Sequence, residues 1–380
     1  MLPARAIARY STATIRRVSE LVLIASDIYR AAIDVPRSAG GASLPGLSRI
    51  ARYGTVEPVP AGWRAGIADA LGRADLASAA PATIAGAAAV AGNSGRAPET
   101  PEPPFLWLAD PVHLIVGPTS VHLAADGRLA LDADTQQALA RAFDAAFAQS
   151  GYRLEPLRGG RFLARGPAPL GEVEAMEPAR ALGARIADAL PKGRGAGKLR
   201  TLGAEIEMWL HEHPLNAQRA RERRPPISTL WFWGGGPALG ATPGSKAPQT
   251  SSSSSGDSRG AVIFGDDPFM EGLARLCGAR FAGAPEDGVP RAPGEASRRI
   301  VALEVLRSDA RSAEGSVPHR EPVAALERFE RDWVAPALEQ LRRGELARLT
   351  IFANDRRLSI GAHDRFRLWR RRRAALAVLR

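Results

Sequence analysis

One segment, Glu205–Gly236, gathers residues whose types and spacing suit anion chemistry. A predicted helix in this segment ends at Pro214, and a predicted strand then leads to a triple-glycine loop. The helix end carries an imidazole, an amide and a guanidinium close together in sequence. A guanidinium binds phosphate or carboxylate through two parallel hydrogen bonds, and glycines let a backbone approach an anion closely. The pattern predicts a ligand site made by His213, Asn216, Arg219, Gly234, Gly235 and Gly236.

A structural interpretation of the same residues stays open. His213 and Asn216 would cap and brace the helix end, and the glycines would only turn the chain. His211 and His213 lie two residues apart on a predicted helix, so their side chains do not share a face. A metal site shared by these two imidazoles is therefore not favoured.

Composition narrows the class of protein. The chain has 380 residues, a formal net charge of +11 and a single cysteine, Cys277, which excludes an internal disulfide and a cysteine-based zinc site. We predict a cytoplasmic protein without a membrane span, because no stretch of about 18 uncharged apolar residues occurs. The positive charge is spread along the chain except at Arg370–Arg373. Nucleic-acid binding normally shows a concentrated basic face, so nucleic acid is not favoured as a partner.

Predicted strands alternate with predicted helices, a pattern that indicates βαβ units. The expected fold class is therefore α/β, with a mainly parallel sheet and flanking helices. Ligands bind at the carboxyl ends of the strands of such a sheet. Four places meet this description: Asp27, the glycine loop, Asp266–Asp267 and the segment after Ala353.

Shifts in composition divide the chain into segments. We predict an α/β core made of residues 19–78 and 195–373, with a flexible linker at 79–104 and a small α+β insert at 105–166. Residues 1–18 are expected to form a disordered N-terminal extension, and residues 374–380 a C-terminal tail. The Ser-rich loop 241–260 is expected to be disordered, because it has almost no apolar side chains to bury.

The segment Glu205–Gly236 resembles a motif of the archaeal-type cofactor-independent phosphoglycerate mutases, of the alkaline phosphatase superfamily. It is more similar still to the RpfE-type bacterial regulatory proteins, whose motif ends in a Trp-x-Trp-Gly-Gly-Gly strand and loop, here Trp231 to Gly236. Weaker similarity extends over Leu44–Gly62, Ala109–Leu123 and Gly265–Phe281. The resemblance implies an alkaline-phosphatase-like fold.

The resemblance also implies a site with two divalent metals, Mn or Zn, and a serine that is transiently phosphorylated. This chain departs from that pattern. Asp27 is followed by Ile28 rather than glycine, the expected nucleophile segment Pro60–Arg64 has no hydroxyl, and Asp309 has no histidine a few residues on. Asp355 is followed by an arginine where the family has an Asp-His pair.

We therefore expect no catalytic residue and no cofactor, with Asp27, Asp309 and Asp355 as vestiges of metal ligands. An arginine among carboxylates would take the charge role of a metal. The sequence favours a non-catalytic regulatory protein that binds a phosphorylated small molecule or a protein partner. The alternatives are an active phosphoglycerate mutase or metal-dependent phosphoesterase with a rearranged site, and a nucleic-acid-associated regulator that uses the basic C-terminal segment.

Overall fold

The computed structural model describes residues 19–29, 43–89, 105–166, 171–239, 260–286, 288–290, 297–306 and 321–364. The predicted N-terminal extension, all but the last residue of the Ser-rich loop 241–260, the C-terminal tail and Asp309 lie outside these residues. No helix among the described residues combines the length and the apolar character that a bilayer span requires.

The described residues form two β-sheets with covering helices. The strands are β1 (Glu20–Ala25), β2 (Thr55–Pro58), β3 (Phe105–Val116), β4 (Val121–Arg128), β5 (Arg153–Leu157), β6 (Arg161–Gly166), β7 (Thr229–Pro237), β8 (Ala261–Phe264), β9 (Arg280–Ala282), β10 (Arg298–Leu303), β11 (Arg348–Ala353) and β12 (Arg356–Gly361). The helices are α1 (Pro45–Tyr53), α2 (Gly62–Ala70), α3 (Pro81–Ala89), α4 (Ala133–Ala146), α5 (Ala196–Glu212), α6 (Pro214–Arg221), α7 (Pro268–Cys277), α8 (Glu321–Phe329) and α9 (Ala335–Arg342). A π-helical turn, Glu330–Val334, joins α8 to α9, and a single helical turn spans Ile186–Ala189.

The first sheet has seven strands in the order β2-β12-β11-β1-β10-β8-β9. Its strands β11, β1, β10, β8 and β9 are parallel, whereas β12 and β2 run antiparallel at one edge. The sheet is therefore mixed: its central strands are parallel, as the sequence predicts, and its antiparallel edge departs from that prediction. The cause is the tight turn at Asn354 and Asp355, whose φ angles of 46° and 54° are left-handed and reverse the chain directly into β12.

Helices cover both faces of the first sheet. Side chains of α1, α8 and α9 pack with Leu21, Leu23 and Ile351 on one face. Helices α2, α3 and α7 pack with Ile24, Ile263 and other side chains on the opposite face. This two-sided burial is why the central strands consist almost entirely of apolar residues.

The second sheet has five antiparallel strands. Four of them, β3 to β6, lie in the predicted insert, and the fifth, β7, pairs with β3. The sequence-based division assigns residues 195–373 to the α/β core and not to the insert. Instead, α5 and β7 bury Ile206, Leu210 and Phe232 in the same core as Phe143 and Phe162 of the insert. The long pairing of β7 with β3 and this aromatic core assign residues 196–237 to the second sheet and its helices.

The predicted flexible linker also differs from the structure. Its described part contains α3, in which Ala82, Ile84 and Ala85 have no exposed surface. The helix packs so closely on α7 that a Cβ at Gly272 would overlap the Ile84 carbonyl. The alanines and glycines of this stretch therefore allow close packing of helices. The rest of the predicted linker, residues 90–104, lies outside the described residues.

Candidate functional site

Acidic residues meet at the carboxyl ends of the parallel strands in the first sheet. Asp27 follows β1, Asp267 follows β8, Glu304 follows β10 and Asp355 follows β11. Because these strands are parallel and adjacent, their ends lie at the same edge of the sheet, where α/β proteins bind ligands.

The second sheet and its loops supply further charged groups to this edge, and α2 supplies one more. We call the whole set of side chains the ionic cluster. Its acids are Asp27, Asp110, Glu177, Asp267, Glu304 and Asp355, and its bases are Arg64, Arg128, Arg161 and Arg180. Asp110, Arg128 and Arg161 lie on β3, β4 and β6.

Arg161 is the most deeply buried base of the cluster, with 2% of its surface exposed. Its Nη1 donates to Asp267 Oδ2 at 3.1 Å, its Nε lies 3.6 Å from Asp110 Oδ2, and its Nη2 contacts Glu304. One guanidinium thus bridges acids from both sheets.

Arg128 uses two of the same acids. Its Nη2 donates to Glu304 Oε1 at 2.8 Å and to Asp110 Oδ2 at 3.3 Å. The indole N–H of Trp233, on β7, donates to the other Asp110 oxygen at 3.3 Å. Both oxygens of Asp110 are therefore hydrogen-bonded.

Arg64 lies in the first turn of α2, in the segment where the resemblance to the mutases implied a nucleophile. Its Nη1 and Nη2 donate to the two oxygens of Glu177, both at 2.9 Å, and Nη2 lies 3.5 Å from Asp267 Oδ2. The guanidinium carbon stacks 4.2 Å from the Trp63 ring centroid and 4.8 Å from that of Trp233. Two indoles and two carboxylates therefore fix this cation.

Arg180 and Tyr29 extend the ionic cluster toward β11. The Nη1 and Nη2 of Arg180 each donate to one oxygen of Asp355 at 2.6 Å, and the guanidinium carbon lies 4.3 Å from the Tyr29 ring centroid. The Tyr29 hydroxyl donates to Glu177 Oε2 at 3.3 Å. Burial, together with the charge of Glu177, raises the pKa of Tyr29, so this phenol stays a hydrogen-bond donor.

Asp27 has a positioning role. Its two oxygens accept hydrogen bonds from the backbone N–H groups of Val305 and Leu306, at 2.8 and 2.7 Å. Burial raises the pKa of Asp27, and the charge of Arg128 and these hydrogen bonds oppose that rise. The carboxylate thereby holds the chain after β10, which carries Glu304.

Electrostatics favour the ionised state of the groups at the centre. Burial alone would raise the pKa of Asp267, but the charges of Arg161 and Arg64 and the hydrogen bond from the Phe269 N–H lower it overall. Burial disfavours the charged form of Arg64, yet Glu177 and Asp267 raise its pKa above the usual value.

These residues do not fit a two-metal centre. A divalent cation needs several ionised oxygen or imidazole ligands that converge on one point. Guanidiniums already bind five carboxylates of the cluster, and backbone N–H groups bind the sixth, that of Asp27. The described residues contain no group of three His, Cys, Asp or Glu side chains that could hold a metal ion. The cation beside Asp355 is Arg180 rather than Arg356, the arginine that the sequence had suggested.

The predicted ligand residues at the α5–α6 junction brace the chain. Asn216 donates to the carbonyls of Leu210 and Ile227 at 2.8 and 2.9 Å, and its oxygen accepts from the Ile227 N–H. Arg219 is 3% exposed and donates from Nε to the Pro225 carbonyl at 2.7 Å. His213 Nδ1 accepts from the Leu215 N–H at 3.1 Å and so caps α6.

The structure does not bring the glycines to these three residues. Gly234 lies seven residues beyond Ile227 along an extended chain, about 23 Å at 3.3 Å per residue. A Cβ at Gly235 would lie 2.6 Å from the Trp107 ring, and a Cβ at Gly236 would overlap Ala80 and Thr83. The glycines thus allow β7 to pack against Trp107 and α3, and the predicted six-residue site does not assemble.

Sequence reasoning missed most of the ionic cluster. Asp27, Asp267 and Asp355 lie in the places that the sequence analysis identified after predicted strands, and Asp267 also caps α7 by accepting a hydrogen bond from the Phe269 N–H at 2.9 Å. Asp110 stood inside a motif, but no local pattern marks Arg128, Arg161, Glu177 or Glu304. The one available signal was an arginine at position 64, within a segment that lacks the expected hydroxyl.

Comparison with known proteins shows that the chain is similar to several solved structures. No family model and no curated protein matches the chain. The cofactor-independent phosphoglycerate mutase from Thermoplasma acidophilum DSM 1728 is similar with 13% identity and a TM-score of 0.38, over 91% of this chain and 90% of that chain. The PH0037 protein from Pyrococcus horikoshii is similar with 13% identity and a TM-score of 0.41, over 92% of this chain and 90% of that chain. Both likenesses concern the fold, and neither identifies an activity.

Proposed function

We propose that this protein is a non-catalytic regulatory protein on a scaffold like that of the cofactor-independent phosphoglycerate mutases. The observation that carries the proposal is the ionic cluster. At the carboxyl ends of the parallel strands, four guanidiniums lie among the carboxylates. Their fixed charges offset most of the negative charge that a catalytic site of that type would leave to metal ions.

The cost of exchanging these cations supports the proposal. A divalent metal at Asp110 or Asp267 would have to displace Arg161 or Arg128, both of which are buried. Removing the carboxylate partner of a buried guanidinium costs several kcal/mol of stability, because the charge stays buried and its lost hydrogen bonds are not replaced by water. The cluster is therefore built to keep its own cations.

The first turn of α2 supports the same conclusion. Phosphoryl transfer through an enzyme intermediate needs an activated nucleophile beside the electrophilic centre. Residues 62–65 are Gly, Trp, Arg and Ala, and none of them bears a hydroxyl or a thiol. The side chain that points at the acids there is Arg64, which is a cation and not a nucleophile.

The regulatory role follows from what the scaffold retains. Two sheets and their helices form a folded body, while the ionic cluster occupies the carboxyl ends of the parallel strands, the edge at which α/β proteins bind ligands. In this proposal the protein acts by binding, either of a protein partner or of a phosphorylated small molecule, and not by turnover.

The test uses the purified full-length chain with and without added Mn²⁺ or Zn²⁺. We expect no isomerisation of 3-phosphoglycerate, no hydrolysis of p-nitrophenyl phosphate, and the same melting temperature in metal or in EDTA. The last expectation holds because a ligand stabilises only a state that binds it. Elemental analysis should find far less than one metal ion per chain.

Two results would contradict the proposal. One is about two metal equivalents per chain, as the mutase mechanism requires. The other is metal-dependent turnover that Asp267→Asn and Asp355→Asn abolish while an exposed Asp188→Asn control retains it. Either result would favour the alternative, an active mutase or metal-dependent phosphoesterase with a rearranged site.

A further inference from the structure

A groove of about 410 Å³ with both polar and apolar lining residues lies on the first sheet, toward the starts of β1, β10 and β11. This position is separate from the ionic cluster, which gathers at the opposite ends of the same strands. Thr350 pairs directly with Ser359, and Ser359 pairs directly with Thr55, so three hydroxyl side chains form a row across β11, β12 and β2. The hydroxyl oxygens of Thr350 and Ser359 are 3.4 Å apart.

Charged residues surround this row, and most of them form ion pairs with one another. Arg298 donates from Nε to Glu20 at 3.0 Å, and Arg357 donates from Nε to Glu57 at 3.0 Å. Arg348 is the fifth charged residue of the lining, so the net charge of the groove is +1.

Arg348 is the cation that remains available. Within the described part of the chain, its side chain makes two long contacts, 3.4 Å to the Ser359 hydroxyl and 3.8 Å to Glu20. With 57% of its side chain exposed, the guanidinium keeps donors for a ligand in the groove. Val22, Ala70 and Phe352 add an apolar part to the lining.

From this geometry we infer that the groove binds a small hydroxylated oxyanion, a carboxylate or a phosphate monoester on a short carbon chain. A guanidinium fork matches two oxygens of such an anion, and serine and threonine hydroxyls both donate and accept. The cavity volume falls in the range of about 300–1,000 Å³ that is usual for small-molecule sites. The inference does not depend on whether the ionic cluster is catalytic.

Calorimetric titration of the full-length chain tests this inference. The probes are glycerate, glycerol 3-phosphate and uncharged glycerol. We expect saturable binding of at least one anion and none of glycerol, and the preferred anion distinguishes a carboxylate site from a phosphate site. Arg348→Gln should weaken the binding at least about tenfold, since charge-assisted hydrogen bonds are lost. Thr350→Val, which keeps the side-chain shape, should weaken it severalfold.

Arg331→Gln is the matched control, because Arg331 is an exposed arginine whose partner is its neighbour Asp332. It should bind the anion as the wild type does. The inference is overturned if neither anion gives saturable heat at millimolar concentration, or if Arg348→Gln binds as tightly as the wild type. Circular dichroism of each variant separates a binding defect from a folding defect.

Discussion

At the scale of single residues, arginine explains how so many acids are buried together. The guanidinium presents five donors in one plane, so one side chain can serve carboxylates on different elements. Arg161 contacts three acids in this way, and Arg64 binds both oxygens of Glu177. A lysine ammonium has three donors around one point and would not reproduce these planar pairs.

Arg128→Leu should lower the free energy of unfolding strongly. The substitution leaves Asp110 and Glu304 with one cation fewer in a buried site, and breaking a buried pair costs about 3–5 kcal/mol. Urea unfolding followed by circular dichroism measures the change.

Arg185→Leu is the control for this prediction. Arg185 pairs with Asp188, and both side chains are more than half exposed, so the loss should not exceed about 1 kcal/mol. Equal effects of the two substitutions would contradict the view that burial gives the ionic cluster its importance.

Arg219→Ala should lower stability in the absence of any ligand. The side chain is buried, and its Nε bond to the Pro225 carbonyl holds the chain that leads from α6 to β7. We expect a loss of about 1–3 kcal/mol in urea unfolding, because that carbonyl loses its donor.

The neighbouring exposed Arg221 provides the control, and Arg221→Ala should change stability little. We expect phosphoglycerate to cause no shift in the melting temperature of the wild type that depends on Arg219. A ligand-induced shift that disappears in a fully stable Arg219→Ala variant would restore the anion-site hypothesis.

At the scale of elements, two close contacts between elements account for particular residue types. The first is the π-helical turn between α8 and α9, which carries the buried Glu330. Its carboxylate accepts the N–H groups of Gly46 and Leu47, at 2.5 and 3.0 Å, and so caps α1, which has no side-chain cap of its own. Burial raises the pKa of Glu330, and these two hydrogen bonds oppose the rise.

The second contact is the packing of β7 on Trp107 and α3. Gly235→Ala should destabilise the protein by about 1–3 kcal/mol, because the added methyl group overlaps the Trp107 ring. Thermal and urea unfolding measure the effect.

Gly203→Ala is the matched glycine control. Gly203 lies within α5 and a Cβ there meets no atom within 4 Å, so alanine should stabilise the helix by about 0.5–1 kcal/mol. A neutral Gly235→Ala would show that the glycines are not needed for packing and would return them to consideration as ligand groups.

At the scale of the whole molecule, the ionic cluster joins the two sheets. The acids Asp267, Glu304 and Asp355 follow strands of the first sheet, while Arg128 and Arg161 come from strands of the second. Their hydrogen bonds cross between the sheets, so separating the sheets would leave several buried charges unpaired at once.

This arrangement predicts an acid-dependent loss of stability. The folded-state pKa of Asp267 lies below the ordinary Asp value of about 3.9, so its contribution is fully present above that pH. The contribution is lost as pH falls through the folded-state value, because protonation removes the attraction to Arg161 and Arg64.

Asp267→Asn isolates this effect, since asparagine also caps a helix. The variant should be less stable than the wild type near neutral pH, and the difference should shrink between about pH 5 and pH 3. Urea unfolding over that range measures it. A difference that stays constant with pH would contradict the assigned role of the Asp267 charge.

The sequence by itself determined what depends on neighbouring residues. The helix α7 begins at Pro268, directly after its N-cap Asp267, and ends at Gly278, whose φ of 67° is left-handed; an Asp-Pro start and a glycine stop are local signals of a helix. The apolar periodicity of α5, the buried strand before Asp27 and the lack of a hydroxyl in the first turn of α2 are equally local. Because steric limits and side-chain periodicity act over a few residues, these features can be predicted from the sequence.

Only the tertiary structure decided which sheet β7 joins and which charges meet. Arg128 and Glu304, like Arg161 and Asp267, are more than a hundred residues apart in the chain, and only the packing of the two sheets against each other brings them within hydrogen-bond distance. An isolated arginine in a strand has the same local pattern whether it faces solvent or a buried acid. The ionic cluster is therefore a property of the packed sheets, because the energy that fixes each charge comes from partners that no local spacing encodes.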